Sequence, residues 1–457
     1  MQSSLRLQGN PRLAMLALLL AILALLTALS IRERKQKDHK LPMKRSGQQS
    51  GPEKSTPPPV SLSRAQPTGS RYPIRRNALL SVGASLLALI IILVLVASVT
   101  LLPDLHLKTS EAKLPSAPTT ATRPNVVRTA SEKGIIFPRW FPGGYGSADK
   151  DWQNSLHIIK KQTAAEWIEI PVLFSQANGH STVVEHSQST VDVAAFSAGV
   201  HAAHALGLRV FFVPLMSVRE PGGWSGSIDL KTDQQQQAWF NSYWNTLRPY
   251  VQTAANDNVE QMAIGTELQS LQKTVAAPKW NQLIARIRTI FKNTLTYDMN
   301  WYSLSQSQPQ PEWLKNPELA MIGVSSYIPL TDVAQRIDPQ NMPALWQNKV
   351  RVHLDALSTE VGKPVLISEI GYRNTSDALY RTWEAHSNAA LDSQEQAGAF
   401  DAALANTFAD TQIGGIFFWG WDDVDQFTIK NRPAAQVLLK WYSQAQARQQ
   451  SQEFSYA

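Results

Sequence analysis

At 457 residues the chain is long enough for one large barrel with appendages, or for two or three ordinary domains, and its 43% hydrophobic content supports a sizeable core. The absence of cysteine excludes disulfides and thiolate metal sites. The net charge of +7 is unevenly spread: residues 1–133 carry +13 and the remainder −6, so the basic excess points to membrane topology rather than to nucleic acid.

After a short tail, 1–12, Leu13 to Ile31 is an uncharged run of 19 residues, long enough to cross a bilayer. Arg32, Arg34, Lys35 and Lys37 follow directly, which disfavours a cleaved signal peptide; a start at Met43 would leave a single span. Residues 32–77 hold 12 Lys/Arg and 3 Asp/Glu among Pro, Ser, Gln and Gly, and cannot bury enough apolar surface to fold. A second uncharged run of 25 residues, Ala78 to Leu102, is the stronger membrane candidate. The positive-inside rule keeps 32–77 in the cytoplasm and places everything after Leu102 outside. Residues 103–133, with Pro115, Pro118 and Pro124, read as an extracytoplasmic tether.

From Gly134 the texture changes. Strand-like segments at Gly134–Trp140, Glu166–Leu173, Leu208–Pro214, Val259–Glu267, Thr294–Asn300, Leu319–Tyr327, Pro364–Ile370 and Ile413–Trp419 alternate with helical patterns near 149–163, 192–206, 234–255, 278–292, 342–361, 394–411 and 434–447. Eight alternations predict an α/β fold, a (β/α)8 TIM barrel over 134–447, followed by a tail, 448–457. A doubly wound open sheet is the alternative, although no Gly-x-Gly-x-x-Gly or phosphate loop follows an early strand.

In such a barrel the C-terminal strand ends carry the chemistry. Two of them end in a carboxylate: Ile264-Gly265-Thr266-Glu267 and Val365-Leu366-Ile367-Ser368-Glu369. Desolvating a charge at a strand's mouth is costly without a use for it, and two glutamates facing one cleft can break a glycosidic bond. The remaining ends supply Trp140, Asn300, Trp301, Tyr327 and Trp419, and Trp224 lies in the loop after the third strand. Flat rings suit the C–H faces of sugars, and amides and hydroxyls suit their rims. Each aromatic taken singly has a packing role as its plainer explanation. Glu260, at the start of its strand, reads as structural. Asp422, Asp423 and Asp425 read as a solvated loop, and His201 and His204 as surface histidines without a third ligand. No metal, cofactor or serine-hydrolase motif is found, and nothing sets the oligomeric state.

Ile264-Gly265-Thr266-Glu267-Leu268 and Ile367-Ser368-Glu369-Ile370-Gly371-Tyr372, with Trp167-Ile168-Glu169-Ile170-Pro171, Gly222-Gly223-Trp224-Ser225-Gly226 and Phe417-Phe418-Trp419, resemble clan A glycoside hydrolases. Within that clan they are most similar to glycoside hydrolase family 113, typically endo-β-1,4-mannanases. The resemblance covers roughly 134–445. It implies a (β/α)8 enzyme with Glu267 as acid/base and Glu369 as nucleophile, acting on a polysaccharide or oligosaccharide without a cofactor. It further implies that Glu267 rests protonated, that Glu369 rests ionised beside the Tyr327 hydroxyl, that Trp419 floors the central subsite, and that Asn300, Trp301 and Gln269 hold sugar hydroxyls. Two departures stand out: Thr266 where the clan usually has Asn, and Val213-Pro214-Leu215-Met216 where the family often has a Lys-Pro-His type sequence. The rival readings are a hydrolase of another β-glycan and a non-catalytic, membrane-tethered polysaccharide-binding barrel.

Overall fold

The computed structural model describes residues 131–305, 309–422 and 425–456. The two apolar runs 13–31 and 78–102 and the basic loop 32–77 lie outside the described residues, as does all of the tether 103–133 but its last three residues. Among the described residues no helix is long and apolar enough to cross a membrane.

Eight parallel strands close into a barrel in sequence order: β1 (Glu132–Ile136), β2 (Trp167–Gln176), β3 (Arg209–Val218), β4 (Gln261–Thr266), β5 (Thr294–Asn300), β6 (Ile322–Ser325), β7 (Val365–Ile370) and β8 (Ile413–Trp419). Between and after them lie α1 (Lys150–Thr163), α2 (Val193–Ala205), α3 (Asp233–Asn256), a short α4 (Gln269–Thr274), α5 (Ala277–Ile290), α6 (Met342–Trp346), α7 (Val352–Val361), α8 (Ser393–Phe408) and α9 (Pro433–Tyr456). Among the described residues the fifth connection holds two 3-10 segments, Trp301–Ser305 and Glu312–Lys315, and no α-helix. The open-sheet alternative is excluded by closure of β1 on β8. At the other end, α9 runs to Tyr456, through the stretch expected to be a tail, with nothing in Gln-rich 448–456 to stop a helix.

The alternation within each strand sorts side chains between two cores. On β5, Leu295, Tyr297 and Met299 face the shell between sheet and helices, with Met262 and Ile264 of β4 and Val365 and Ile367 of β7. The interior holds a smaller apolar group: Ile136, Trp167, Phe211, Val213, Ala263, Leu366 and Phe417. Gly134 makes room for it, since a Cβ there would lie 2.1 Å from the Phe417 ring.

The interior also contains carboxyls. Glu132, Glu169 and Asp298 are buried, and Oδ1 of Asp298 would meet a Cβ at Gly323 at 1.8 Å. Burial raises Glu132 to about 8, against a smaller opposing effect of its hydrogen bond from Gln261. Burial also pushes Glu169 and Asp298 well above the usual carboxylate range, reinforced by the charges of neighbouring acids.

Candidate active site

The mouth of the barrel is set by two irregular strand ends. The pairing of β4 with β5 shifts between Ala263 and Thr266, a bulge that frees the Ile264 carbonyl to accept from the Tyr243 hydroxyl at 3.0 Å. Glu267 follows with φ +54°, a left-handed backbone that is unfavourable for a side chain with a Cβ. Two hydrogen bonds fix this turn: the Glu267 N–H donates to the Asp298 carbonyl at 2.8 Å, and the Glu267 carbonyl accepts from the Gln269 N–H at 2.9 Å. On the other side, Glu369 of β7 pairs with Ser325 of β6, which pairs with Asn300 of β5, so these three stand at one level of the sheet.

Both glutamates are half-buried and line one cavity of about 610 Å³. Asn300 Nδ2 donates to Glu267 Oε1 at 2.8 Å, and Trp224 Nε1 makes a longer contact to Oε2 at 3.4 Å. The Asn300 side chain is itself fixed, its Oδ1 accepting from the Tyr302 N–H at 2.9 Å. The Tyr327 hydroxyl donates to Glu369 Oε1 at 2.5 Å. Trp301 and Trp419 also line the cavity.

Burial raises both carboxyls. For Glu267 it is opposed by the hydrogen bonds from Asn300 and Trp224. For Glu369 burial is reinforced by the charge of Glu267 and only partly offset by Tyr327, which takes it to about 8. The Tyr327 hydroxyl offsets only part of the desolvation and of the neighbouring charge at Glu369, so the two carboxyls titrate as a coupled pair.

Of the other residues expected at the site, Trp140 is half-buried and stacks on Trp419, with ring centroids 6.4 Å apart. It is placed by its neighbour Arg139, whose guanidinium forks onto Asp149 at 2.6 and 2.8 Å while Asp149 caps α1. Thr266 and Gln269 are buried, at 3% and 9% exposure, and neither is among the residues lining the cavity. The turn at Glu267 places Gln269 at the start of α4, away from the residues that line the cavity. Asp425, expected in a solvated loop, is half-buried in the cavity wall, and its carboxylate accepts from the Phe427 N–H at 2.8 Å. Asp422 pairs with Lys430, as a loop carboxylate should, and Asp423 lies outside the described residues.

His201 is exposed and His204 half-buried on α2, but each faces a carboxylate, Asp257 at 3.1 Å and Glu260 at 3.2 Å. Glu260 also accepts from the Val210 N–H at 2.8 Å, a structural role as expected. Among the described residues no group of three or more His, Asp or Glu could hold a metal ion.

Tyr302, which follows Asn300 and Trp301 at the end of the fifth strand, also lines the wall; sequence reading missed Trp383, Ala385 and Phe427. Trp383 lies in a connection between β7 and α8 that has no periodicity to mark it.

The sequence pattern of Glycoside Hydrolase Family 113 matches residues 143–437. The chain belongs to this family. Its family 113 barrel makes it a glycosidase, and the substrate of a glycosidase is a polysaccharide or oligosaccharide. Solved structures agree in fold. A family 113 β-1,4-mannanase determined as a complex is 23% identical with a TM-score of 0.59, the match covering 69% of this chain and 99% of that one. The family 113 β-mannanase AaManA from Alicyclobacillus acidocaldarius, in complex with ManMIm, is 21% identical with a TM-score of 0.59, covering 69% and 98%. Comparison with curated proteins finds no match.

Proposed function

We propose that this family 113 chain is a membrane-anchored retaining glycosidase that cleaves a β-linked polysaccharide, β-1,4-mannan or glucomannan, with Glu369 as nucleophile and Glu267 as acid/base. One observation carries the reading: two half-buried glutamates at the mouths of β4 and β7 open into a single cavity walled by Trp224, Trp301, Tyr327 and Trp419. The family 113 mannanases of the same fold support the substrate class.

In the first step a Glu369 oxygen attacks the anomeric carbon while the C1–O bond to the leaving sugar breaks and Glu267 gives that oxygen its proton. In the second, Glu267 takes a proton from water, the hydroxide oxygen bonds C1, and the ester to Glu369 breaks. Tyr327 fixes the attacking carboxylate, and Asn300 fixes the acid/base. A proton must sit on Glu267 when the substrate reacts; Glu267 is then neutral, which removes its charge from Glu369 and leaves burial, opposed by the Tyr327 hydrogen bond, as the influence on the nucleophile.

Glu369→Ala should abolish turnover of an aryl β-mannoside, with partial recovery in azide and formation of a glycosyl azide. Wild-type rates in that variant would remove Glu369 from the mechanism.

Cleavage of another β-glycan by the same chemistry is the second reading. Leu215 stands where the family often places a polar contact, and it packs with Trp419 against the apolar interior. A panel of β-glycans offered to the fragment from about Arg128 onward separates the two; a non-catalytic binding barrel would hold a glycan without releasing reducing ends.

Anchoring rests on the sequence alone: spans at 13–31 and 78–102, a cytoplasmic 32–77, a tether from 103 that ends before β1 begins at Glu132, and the barrel on the extracytoplasmic side. The full chain should sediment with membranes and be released by detergent but not by high salt; release by salt would point to peripheral attachment.

A further inference from the structure

The connection from Gly371 to Asp392, between β7 and α8, is built around a buried cation. Arg373 is 1% exposed. Its Nη1 donates to the carbonyls of Arg381 at 2.8 Å and Glu384 at 2.7 Å, and its Nη2 to those of Tyr380 at 2.9 Å and Asp377 at 3.1 Å. The Asp377 carboxylate lies 3.4 Å from Nη2 and accepts from the hydroxyls of Thr375 at 2.7 Å and Ser387 at 2.6 Å. Four carbonyls of one loop thus converge on one planar fork; those of Arg381 and Asp377 also accept from the N–H groups of Glu384 and Tyr380, while the Tyr380 and Glu384 carbonyls turn to the guanidinium.

Two of those carbonyls, Arg381 and Glu384, flank Trp383 in sequence, so the guanidinium pins the backbone on both sides of that indole. Trp383 is 47% exposed and stacks on Trp301, with centroids 5.3 Å apart and planes at 26°. One face of Trp383 is therefore covered and the rest looks outward, and both rings line the cavity. An indole held in advance of binding loses little conformational freedom when a sugar ring packs on it.

On the reading that the cavity takes a β-glycan, we propose that Arg373 is a positioning residue that holds Trp383 against Trp301, making the outer face of Trp383 a platform for one hexose unit of the chain. Lysine keeps the charge but loses the fork. Arg373→Lys and Trp383→Ala should each raise KM for mannohexaose about tenfold while kcat moves by less than about twofold. Both should also lose the near-ultraviolet circular dichroism couplet of the stacked indoles, which the difference spectrum of wild type and Trp383→Ala isolates.

Wild-type KM in Trp383→Ala overturns the platform. A wild-type couplet and KM in Arg373→Lys overturn the positioning role. Should Arg373→Lys fail to fold, Ser387→Ala, which loosens Asp377 in the same network, is read in the same way. The couplet needs no substrate, so it judges Arg373 even where the wild-type protein does not cleave mannohexaose, a result that would count against the proposed substrate instead.

Discussion

Asn300 shows how one amide governs a carboxyl's work. It is the nearest donor to Glu267, at 2.8 Å, and its own oxygen is tied to the Tyr302 backbone, so its orientation is set before any substrate arrives. Asn300→Ala removes a hydrogen bond to a partly charged group, worth about 1.5–3 kcal/mol, and should lower kcat/KM roughly 10- to 100-fold while raising the Glu267 pKa further. A kcat/KM versus pH profile displaced upward relative to wild type is the expected result; an unmoved profile would mean the bond does not act on ionisation. For the wild-type protein, activity should fall as pH rises through about 8, where the coupled pair gives up its last proton and no acid remains for the leaving group.

At the scale of the element, β5 and β6 decide the space below the pair. Asp298 occupies the interior two residues before Asn300, and β6 admits it only because position 323 has no side chain. The obstructing atom at 1.8 Å belongs to a short side chain on a central strand, with Ser368 Oγ a further 2.8 Å contact, so neither neighbour can swing away. Gly323→Ala should therefore cost about 1–3 kcal/mol or more and lower the melting temperature by several degrees. Melting at the wild-type temperature would show that β6 can shift without penalty. The same strands were partly legible beforehand. Thr294–Asn300 was read with its observed bounds because Leu295, Tyr297 and Met299 alternate with polar residues, and Ile413–Trp419 because Ile416 to Trp419 is a short continuous apolar run. The bulge in β4 left no such mark, since it depends on Tyr243, a partner 21 residues away.

Across the whole molecule, the charge divides at the point where the barrel begins: strongly basic before it and −6 after. The barrel's acids include several that burial raises, and these shifts shape the pH dependence of its stability. Glu132 is raised from 4.5 to about 8, so its contribution is fully present below about 4.5 and is lost as pH rises through about 8. Glu132→Gln is uncharged throughout and should narrow the drop in melting temperature between about pH 5 and 8. An unchanged drop would place the dependence on the other buried acids, Glu169, Asp298 and Glu369.

The sequence by itself determined the number and order of the strands, and it put Glu267 and Glu369 at strand ends, because side-chain alternation and the placement of charge are local properties of the chain. Only the tertiary structure decided that these two share a cavity, that burial outweighs the Tyr327 hydroxyl at Glu369, that Gln269 turns away, and that Asp425 and Trp383 join the wall. Each of those outcomes depends on desolvation or contact between segments far apart in the chain, and no spacing within one segment encodes it.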